Sequence, residues 1–427
     1  MNICMFTNTY LPHVGGVARS VSCFEADLRK LGHRVLIVAP TFLDNQAGSP
    51  EDPRVLRVPA IQNFNGSDFS VRIPIPFIID EKIEEFEPDI IHSHHPFLLG
   101  DAAMRVAYRR NLPLIFTHHT LYEEYTHYVS SQSPVMKRFV IKMTTAYANM
   151  CTQVVAPSKS VADLIKQRGV KTPVAEIPTG VDFEAFAAGQ GARFRKRFRI
   201  PENARLIGHL GRLAPEKNLD YLAKAVRAYL EKDPDAWFLV VGDGPDRKGI
   251  EKKFAHRGLD KRLVMAGKQT GQELIDAYGA MDLFVFASKT ETQGMVVAEA
   301  MAAATPVIAL DASGVREVVK DGINGRLLSA NAPQKAFAGA IGEFFAGKGR
   351  NWADNARQTG KKLDRRNCAR LLSDMYAQIQ KTPVVKKPAN LDDVFGHWDE
   401  LLKSVRIEWE MLSSKINAVA RTLQPRD

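Results

Sequence analysis

Short apolar runs alternate with longer segments of helical period along most of the chain. In the first half the runs are Ile3–Thr7, Arg34–Pro40, Asp89–His94, Pro113–His118, Gln153–Ser158 and Ala175–Thr179. In the second half they are Leu206–Gly211, Trp237–Gly242, Leu263–Gly267, Leu283–Ser288, Pro306–Asp311 and Arg326–Leu328. Strands that alternate with helical segments imply parallel sheets with crossover helices. The runs end in Gly, Ser, His, Thr, Asp or, in a few cases, Pro or Leu, residues mostly suited to loops at the carboxyl edge of such a sheet, where open α/β folds bind their ligands. The expected fold class is therefore α/β, with two doubly wound, Rossmann-like domains facing across a cleft. The expected boundaries are 1–180 and 181–385, with the active site between the two domains.

Residues 386–427 follow a different period. After Lys381-Thr-Pro-Val-Val-Lys-Lys-Pro388, apolar positions recur from Leu391 through Phe395, Trp398, Leu402, Val405, Trp409, Leu412, Ile416 and Val419 to Leu423. Steps of four and three residues make a heptad seam. The pattern fits a helix packed on its own domain or a coiled coil, so self-association through Leu391–Leu423 stays open.

Composition adds limits. The 427 residues are 45% apolar and 25% charged, which excludes disordered and low-complexity classes. A prior of roughly 150 residues per domain agrees with two or three domains. Net charge is +10, and its most concentrated stretch is Arg193-Phe-Arg-Lys-Arg-Phe-Arg199. Such an excess suits phosphate esters, an anionic membrane or nucleic acid, without choosing among them. Cys4, Cys23, Cys151 and Cys368 show no paired spacing, which reads as buried thiols in a reducing compartment and gives no support to a zinc site. The N-terminus does not read as a signal peptide. No run reaches the about 18 apolar residues of a spanning helix, so any membrane contact would be peripheral.

Three segments carry candidate chemistry. Gly15-Gly16-Val17 follows the first strand and precedes a helical pattern, where backbone N–H groups can approach an anion. It lacks the G-x-G-x-x-G spacing, which counts against a nicotinamide-dependent dehydrogenase. Gly211-Arg212 and Glu216-Lys217-Asn218 follow the first strand of the second half; a guanidinium fork and a movable ammonium suit a diphosphate, though solvated cations are the ordinary alternative. In Ser288-Lys-Thr-Glu291-Thr-Gln-Gly294-Met295-Val296-Val-Ala-Glu299, a loop carboxylate and a helix carboxylate flank a glycine. Glu291 can accept from sugar hydroxyls or act as a helix N-terminal carboxylate. Free N–H groups at Gly294, Met295 and Val296 would face a phosphate. Glu299, among apolar neighbours, needs a buried partner: a ribose diol, or a cation from the neighbouring domain.

With these motifs the chain resembles the family-four retaining glycosyltransferases of the GT-B fold. The resemblance rests on Gly211-Arg212…Glu216-Lys217-Asn218, Glu291-x7-Glu299, Val241-Gly-Asp-Gly-Pro245, Ile177-Pro-Thr-Gly-Val-Asp182, Gly15-Gly16-Val17 and Gly314-Val-Arg-Glu317…Asp321-Gly-x-Asn-Gly325. It covers roughly residues 1–380 and leaves the tail outside. Thr117-His118-His119-Thr120-Leu-Tyr-Glu-Glu-Tyr125 and Glu291-Thr-Gln-Gly look like the bacterial diacylglycerol glucosyltransferases; many other members carry Pro-Phe where this chain has Thr292-Gln293. The resemblance implies that Arg212 and Lys217 hold the donor diphosphate, Glu299 its ribose, and Glu291 with Gly294 and Met295 the donor sugar. It implies that His119, rather than His118, approaches that sugar, and that Gly16 lets the phosphates come close. His92, His94 and His95 read as cleft-edge or structural residues, since the family implies no metal and no cofactor besides the nucleotide sugar.

The implied activity is retaining transfer of a hexose, glucose from a UDP-linked donor in the first instance, by front-face departure of the diphosphate. Two fixed cations aimed at the leaving charge supply the largest expected effect, and no carboxylate pair has the look of a hydrolase. The implied acceptor is diacylglycerol or another membrane lipid, with a soluble or polymer-linked glycan as the alternative and a non-catalytic GT-B platform as the rival of another class. Val135-Met-Lys-Arg-Phe-Val-Ile-Lys-Met143 could lie on a peripheral, anionic membrane surface or face its own core. The implied location is the cytoplasm, on the inner face of the membrane. Nucleic acid is not expected as a partner, because the run 193–199 is its only support.

Overall fold

The computed structural model describes residues 1–12, 15–41, 52–61, 71–72, 76–123, 134–255 and 258–381. The heptad-patterned tail therefore lies outside the described residues, as do Glu124 and Tyr125 of the histidine motif.

The first sheet is built from β1 (Asn2–Phe6), β2 (Arg34–Pro40), β3 (Val55–Val58), β6 (Ile90–Ser93), β7 (Leu114–Thr117), β8 (Gln153–Ala156) and β9 (Val174–Glu176). A short antiparallel pair, β4 (Ala60–Ile61) with β5 (Val71–Arg72), stands apart from it. The seven strands lie in the order β3-β2-β1-β6-β7-β8-β9, all parallel. The second sheet holds β10 (Arg205–Leu210), β11 (Ala236–Val241), β12 (Leu263–Gly267), β13 (Leu283–Phe286), β14 (Val307–Leu310) and β15 (Gly325–Leu328). Its order is β12-β11-β10-β13-β14-β15, again parallel throughout. Each sheet thus winds outward from a first strand and reverses beside it, at β1/β6 and at β10/β13. Those reversals are the topological switch points where α/β sheets bind ligands.

Burial on both faces explains why the strands read as nearly continuous apolar runs. Cys4 and Phe6 of β1 enter one core, Ile3 and Met5 the other. Helix Gly16–Lys30 follows β1 and buries Ala18, Val21, Phe24 and Leu28, a helical stripe.

Helix Arg365–Lys381 departs from the domain boundaries expected from the sequence. It follows the second domain in the chain but packs on the first sheet, burying Cys368, Ala369, Leu372, Met375 and Tyr376 in the core that contains Ile3, Met5, Val21 and Leu28. Polar ties fix it there: Arg365 Nη2 to Asp27 Oδ1 at 2.9 Å, His33 Nε2 with Ser373 Oγ at 2.8 Å, and Tyr376 OH with His92 Nδ1 at 2.5 Å. The chain therefore crosses between domains twice, at Val181 and again at Leu363–Arg365. The crossings run side by side, since Val181 N–H donates to Leu363 O and Arg365 N–H donates to Val181 O, both at 2.9 Å.

Candidate active site

Loops at the carboxyl ends of both sheets meet. His119 lies just beyond β7, Ser158 and Ser160 beyond β8, and Arg19 in the helix after β1. From the other side come Glu291 to Gly294 beyond β13, and Glu317 beyond β14. Thr292 Oγ1 donates to His119 O at 2.8 Å, and Ser158 Oγ donates to Thr292 O at 2.7 Å. Thr179 N–H donates to Gln293 Oε1 at 3.1 Å, and Ser160 N–H to Glu317 Oε1 at 2.7 Å. The Thr292-Gln293 pair that departs from Pro-Phe thus supplies two of the polar contacts between domains. A proline at 292 would have no hydroxyl to give, and a phenylalanine at 293 no side-chain carbonyl.

At the β10/β13 switch point, Lys217 Nζ lies 2.5 Å from Glu291 Oε1, with side chains 18% and 16% exposed. Lys217 ends a single 3-10 turn, Pro215–Lys217, after which Asn218 adopts a left-handed conformation and starts helix Leu219–Leu230. Arg212 reaches back to Glu216, Nη2 to Oε1 at 2.6 Å, and remains half exposed. These four residues place two cations and two carboxylates on adjoining loops. Gly294, with φ 67°, caps helix Met295–Ala302 without a side-chain cap, so N–H groups of Gly294, Met295 and Val296 have no acceptor within that helix. Gly314, φ 75°, is why this loop can lie so low: a Cβ there would stand 2.6 Å from Gln293 N and 2.6 Å from the Thr292 carbonyl carbon. Gly16 opens the first-domain helix with free space beside its Cα.

Glu299 has the buried partners its surroundings require. Its carboxylate is ion-paired with Arg19 of the first domain and accepts from Tyr278 OH at 2.7 Å on Oε2. Burial pushes its carboxyl above the ordinary value, while the Arg19 guanidinium and the Tyr278 hydrogen bond pull the other way. Of the two alternatives open from the sequence, this structure displays the ion pair. A ribose diol would have to take Arg19's place.

The histidines sort into three groups. His92 is structural: buried between Tyr376 OH and Thr117 Oγ1, it is pushed down to about 3 by desolvation. His95 accepts from Asn8 N–H at 3.1 Å on Nδ1 and falls likewise to about 3. His94 Nδ1 meets His119 Nε2 at 2.9 Å. Burial holds both members of that pair well below the usual histidine value, so both rings are neutral. His118 is buried with Nδ1 unpartnered and pushed down to about 4 by burial and by Arg168. Among the described residues no cluster of His, Cys, Asp and Glu could hold a metal ion.

Three of the five cations in the basic run 193–199 pair with neighbouring acids. Arg193 pairs with Glu273 and Asp276, Arg195 with Asp282, and Arg197 with Glu273. Those pairs leave a helix surface of mixed charge.

The sequence does not single out Arg19, Tyr278 or His209. Arg19 lies only three residues past Gly16, but nothing in the spacing links it to a carboxylate in the other domain. His209 interrupts the apolar run Leu206–Gly211, a signal visible in the sequence.

Two doubly wound domains whose strand ends converge on paired cations and carboxylates define a GT-B sugar-transfer fold. Residues 14–185 match the Glycosyltransferase Family 4 model and residues 191–362 the Glycosyl transferases group 1 model, so the chain belongs to the GT-B glycosyltransferases. It is 29% identical to the alpha-monoglucosyldiacylglycerol synthase of Streptococcus pneumoniae, over 77% of this chain and 75% of that one. It is 29% identical to a GDP-mannose-dependent alpha-mannosyltransferase of Mycolicibacterium smegmatis, over 81% and 89% of the two chains. Among solved structures, sucrose-phosphate synthase from Thermosynechococcus elongatus superposes with a TM-score of 0.72 at 21% identity, covering 88% of this chain and 98% of that one.

Proposed function

We propose that this glycosyltransferase moves a hexose, with glucose from UDP-glucose as first choice, onto a hydroxyl of diacylglycerol or a related membrane lipid. The stereochemistry is retained and no metal is required. The observation that carries this reading is the Lys217–Glu291 pair at the second switch point, on a loop hydrogen-bonded through Thr292 to His119 of the first domain. On this reading the cation and the carboxylate of that pair lie beside the donor sugar, with the His119 segment across the joint.

In the reaction, the bond between the anomeric carbon and the diphosphate oxygen breaks as the acceptor oxygen bonds to the same face. The departing phosphate oxygen takes the acceptor's proton. Lys217 and Arg212 offset the charge that builds on the diphosphate, and charges fixed in advance are worth more there than mobile ones. Glu291 and the N–H groups of Gly294 and Met295 orient the sugar hydroxyls. Met295 and Val296 open a helix whose positive end favours the phosphates. Glu299 takes the ribose once Arg19 has given way.

The lipid acceptor draws support from the names of the relatives in Streptococcus pneumoniae and Acholeplasma laidlawii, both alpha-monoglucosyldiacylglycerol synthases. Helix Pro134–Asn149 adds a surface of suitable chemistry, with Arg138 and Lys142 exposed beside half-buried Met136, Val140 and Ile141. Among the described residues no helix is long and apolar enough to cross a membrane, so contact would be peripheral. Cytoplasmic residence on the inner membrane face belongs to the same reading. A glycan acceptor is the second reading, and the GDP-mannose-dependent alpha-mannosyltransferase relatives, which match over a similar length, make GDP-mannose the alternative donor. A silent platform would leave the Lys217–Glu291 pair without a use.

The test is diphosphate release from UDP-glucose, UDP-galactose and GDP-mannose, in a chelator, with and without diacylglycerol vesicles. UDP release that depends on diacylglycerol, with an α-linked glucolipid as product, is expected. Release with none of the donors under any acceptor would overturn the catalytic reading.

A further inference from the structure

His209 is the one residue inside the apolar β10 run that has a polar side chain fully enclosed, 1% exposed. Its ring stacks near-parallel to Phe284 and Phe286 of β13, at 6.2 and 6.0 Å between centroids. Nδ1 lies 3.1 Å from Val285 O. A carbonyl can only accept, so Nδ1 must carry the proton, and in a neutral ring Nε2 is then a bare acceptor. Desolvation keeps the ring neutral, pushing it down to about 4.

That Nε2 has no hydrogen-bond partner in the protein. Buried acceptors left unpaired are few, and each calls for an explanation. Its surroundings supply one. Gly211 follows in the chain, and beyond its own neighbours the single atom within 4 Å of where a Cβ would stand is Nε2, at 3.9 Å. The absent side chain leaves a slot with Nε2 at its floor. Lys217 and Glu291 are close enough to act electrostatically on the same ring. On the reading above, the transferred sugar would lie at this slot, over Gly211 and beside the Lys217–Glu291 pair.

We infer that His209 Nε2 accepts a hydrogen bond from a hydroxyl of the donor's sugar, making His209 a specificity residue of the donor site. The inference rests on the nucleotide-sugar reading above. A diphosphate has no proton to offer this nitrogen at neutral pH, whereas a sugar hydroxyl has. Sites built to bond a hydroxyl discriminate strongly against analogues that lack it, because the protein group is then left unpaired.

Isothermal titration separates the parts of the donor. His209→Phe keeps a ring between Phe284 and Phe286 but removes the acceptor, and His209→Gln restores a carbonyl near the position of Nε2. For the donor that wild type turns over, His209→Phe should weaken binding roughly tenfold while the free nucleoside diphosphate binds as before. His209→Gln should recover part of the loss. Donor analogues each lacking one sugar hydroxyl provide a check without substitution: wild type should lose on one analogue what His209→Phe loses on the natural donor. Equal weakening of donor and free diphosphate, or no change in either, overturns the inference and leaves a slot that holds only water. A wild type that binds no sugar nucleotide overturns instead the reading on which it rests.

Discussion

Arg19→Ala is the substitution whose effect the structure defines most closely. Glu299 is buried, with a side chain 1% exposed, and its two oxygens are shared between Arg19 and Tyr278 OH. Removing the guanidinium leaves an ionised carboxylate inside a core with one hydrogen bond. Breaking a buried pair from one side costs about 3–5 kcal/mol. Arg19 is 41% exposed, so solvent already screens part of the attraction, and about 1–3 kcal/mol is the fitting range. At ~2–4 °C per kcal/mol for domains of this size, the apparent melting temperature at pH 8 should fall by about 2–12 °C.

The pH dependence gives the assay its power. Burial raises the Glu299 carboxyl above its ordinary value, and without Arg19 it rises further. A carboxyl whose folded value exceeds its unfolded one costs stability as pH climbs through that window, because the folded state must surrender a proton it holds more tightly. The deficit of Arg19→Ala is therefore complete above the raised value and fades toward the ordinary carboxylate range. Melts from pH 4.5 to 8.5 should show the two curves converging at the acid end. In a Glu299→Gln background there is no charge to abandon, and Arg19→Ala should cost under about 0.5 kcal/mol. A deficit of the same size at both ends of the pH range, or in both backgrounds, would refute the pairing.

Further outcomes follow from the site. Lys217→Ala should lower turnover by more than about tenfold with unchanged circular dichroism, since it removes a fixed cation from the leaving group; near-normal rates would remove Lys217 from the site. Gly314→Ala should lower kcat/KM by about tenfold or more, because its methyl would meet the backbone of Thr292 and Gln293 and shift Glu291; steady-state kinetics with donor varied will show it. The pH profile of kcat/KM should have no inflection near pH 6.5 from His119, whose ring burial keeps neutral; an inflection there that vanishes in His119→Gln would contradict that state.

Much of the architecture was legible because both sheets are parallel and covered on two faces. Burial on both sides turns each central strand into an apolar run, so β1, β2, β6 and β10 to β14 stand out in the sequence within a residue or two. β3, Val55–Val58, does not, being an edge strand with Arg57 in its middle. Helix Arg365–Lys381 could be read as amphipathic, but an apolar stripe does not say which sheet it covers. The candidate site was legible where its residues share one loop, as Glu291 and Gly294 do, and less so where partners come from different domains. Arg19 and Glu299 are 280 positions apart, and only folding reveals the pair. His94 meeting His119 depends on neighbouring strand ends, β6 and β7, whose adjacency no local pattern encodes.

The two kinds of interdomain contact have different physical characters, and the difference bears on how a donor gains entry. Helix Arg365–Lys381 joins the first sheet through a buried apolar face, and the two crossings at Val181 and Arg365 are bonded to each other. Separating these would expose several large side chains at about 1.5–3 kcal/mol each. Across the strand ends the contacts are instead polar: Thr292 to His119, Ser158 to Thr292, Thr179 to Gln293, and Arg19 to Glu299. Each neutral hydrogen bond there is worth about 0.5–1.5 kcal/mol net, since water replaces it when it breaks. On the proposed reading, a bound diphosphate sugar would repay that sum with its own charge-assisted bonds to Arg212, Lys217 and the N–H groups at Gly294 and Met295. The crossings are thus the strong end of the joint and the strand ends the exchangeable one. Thr292-Gln293 adds two side-chain bonds to the exchangeable end, beside the Arg19–Glu299 and Ser160–Glu317 contacts, and Pro-Phe would lack both.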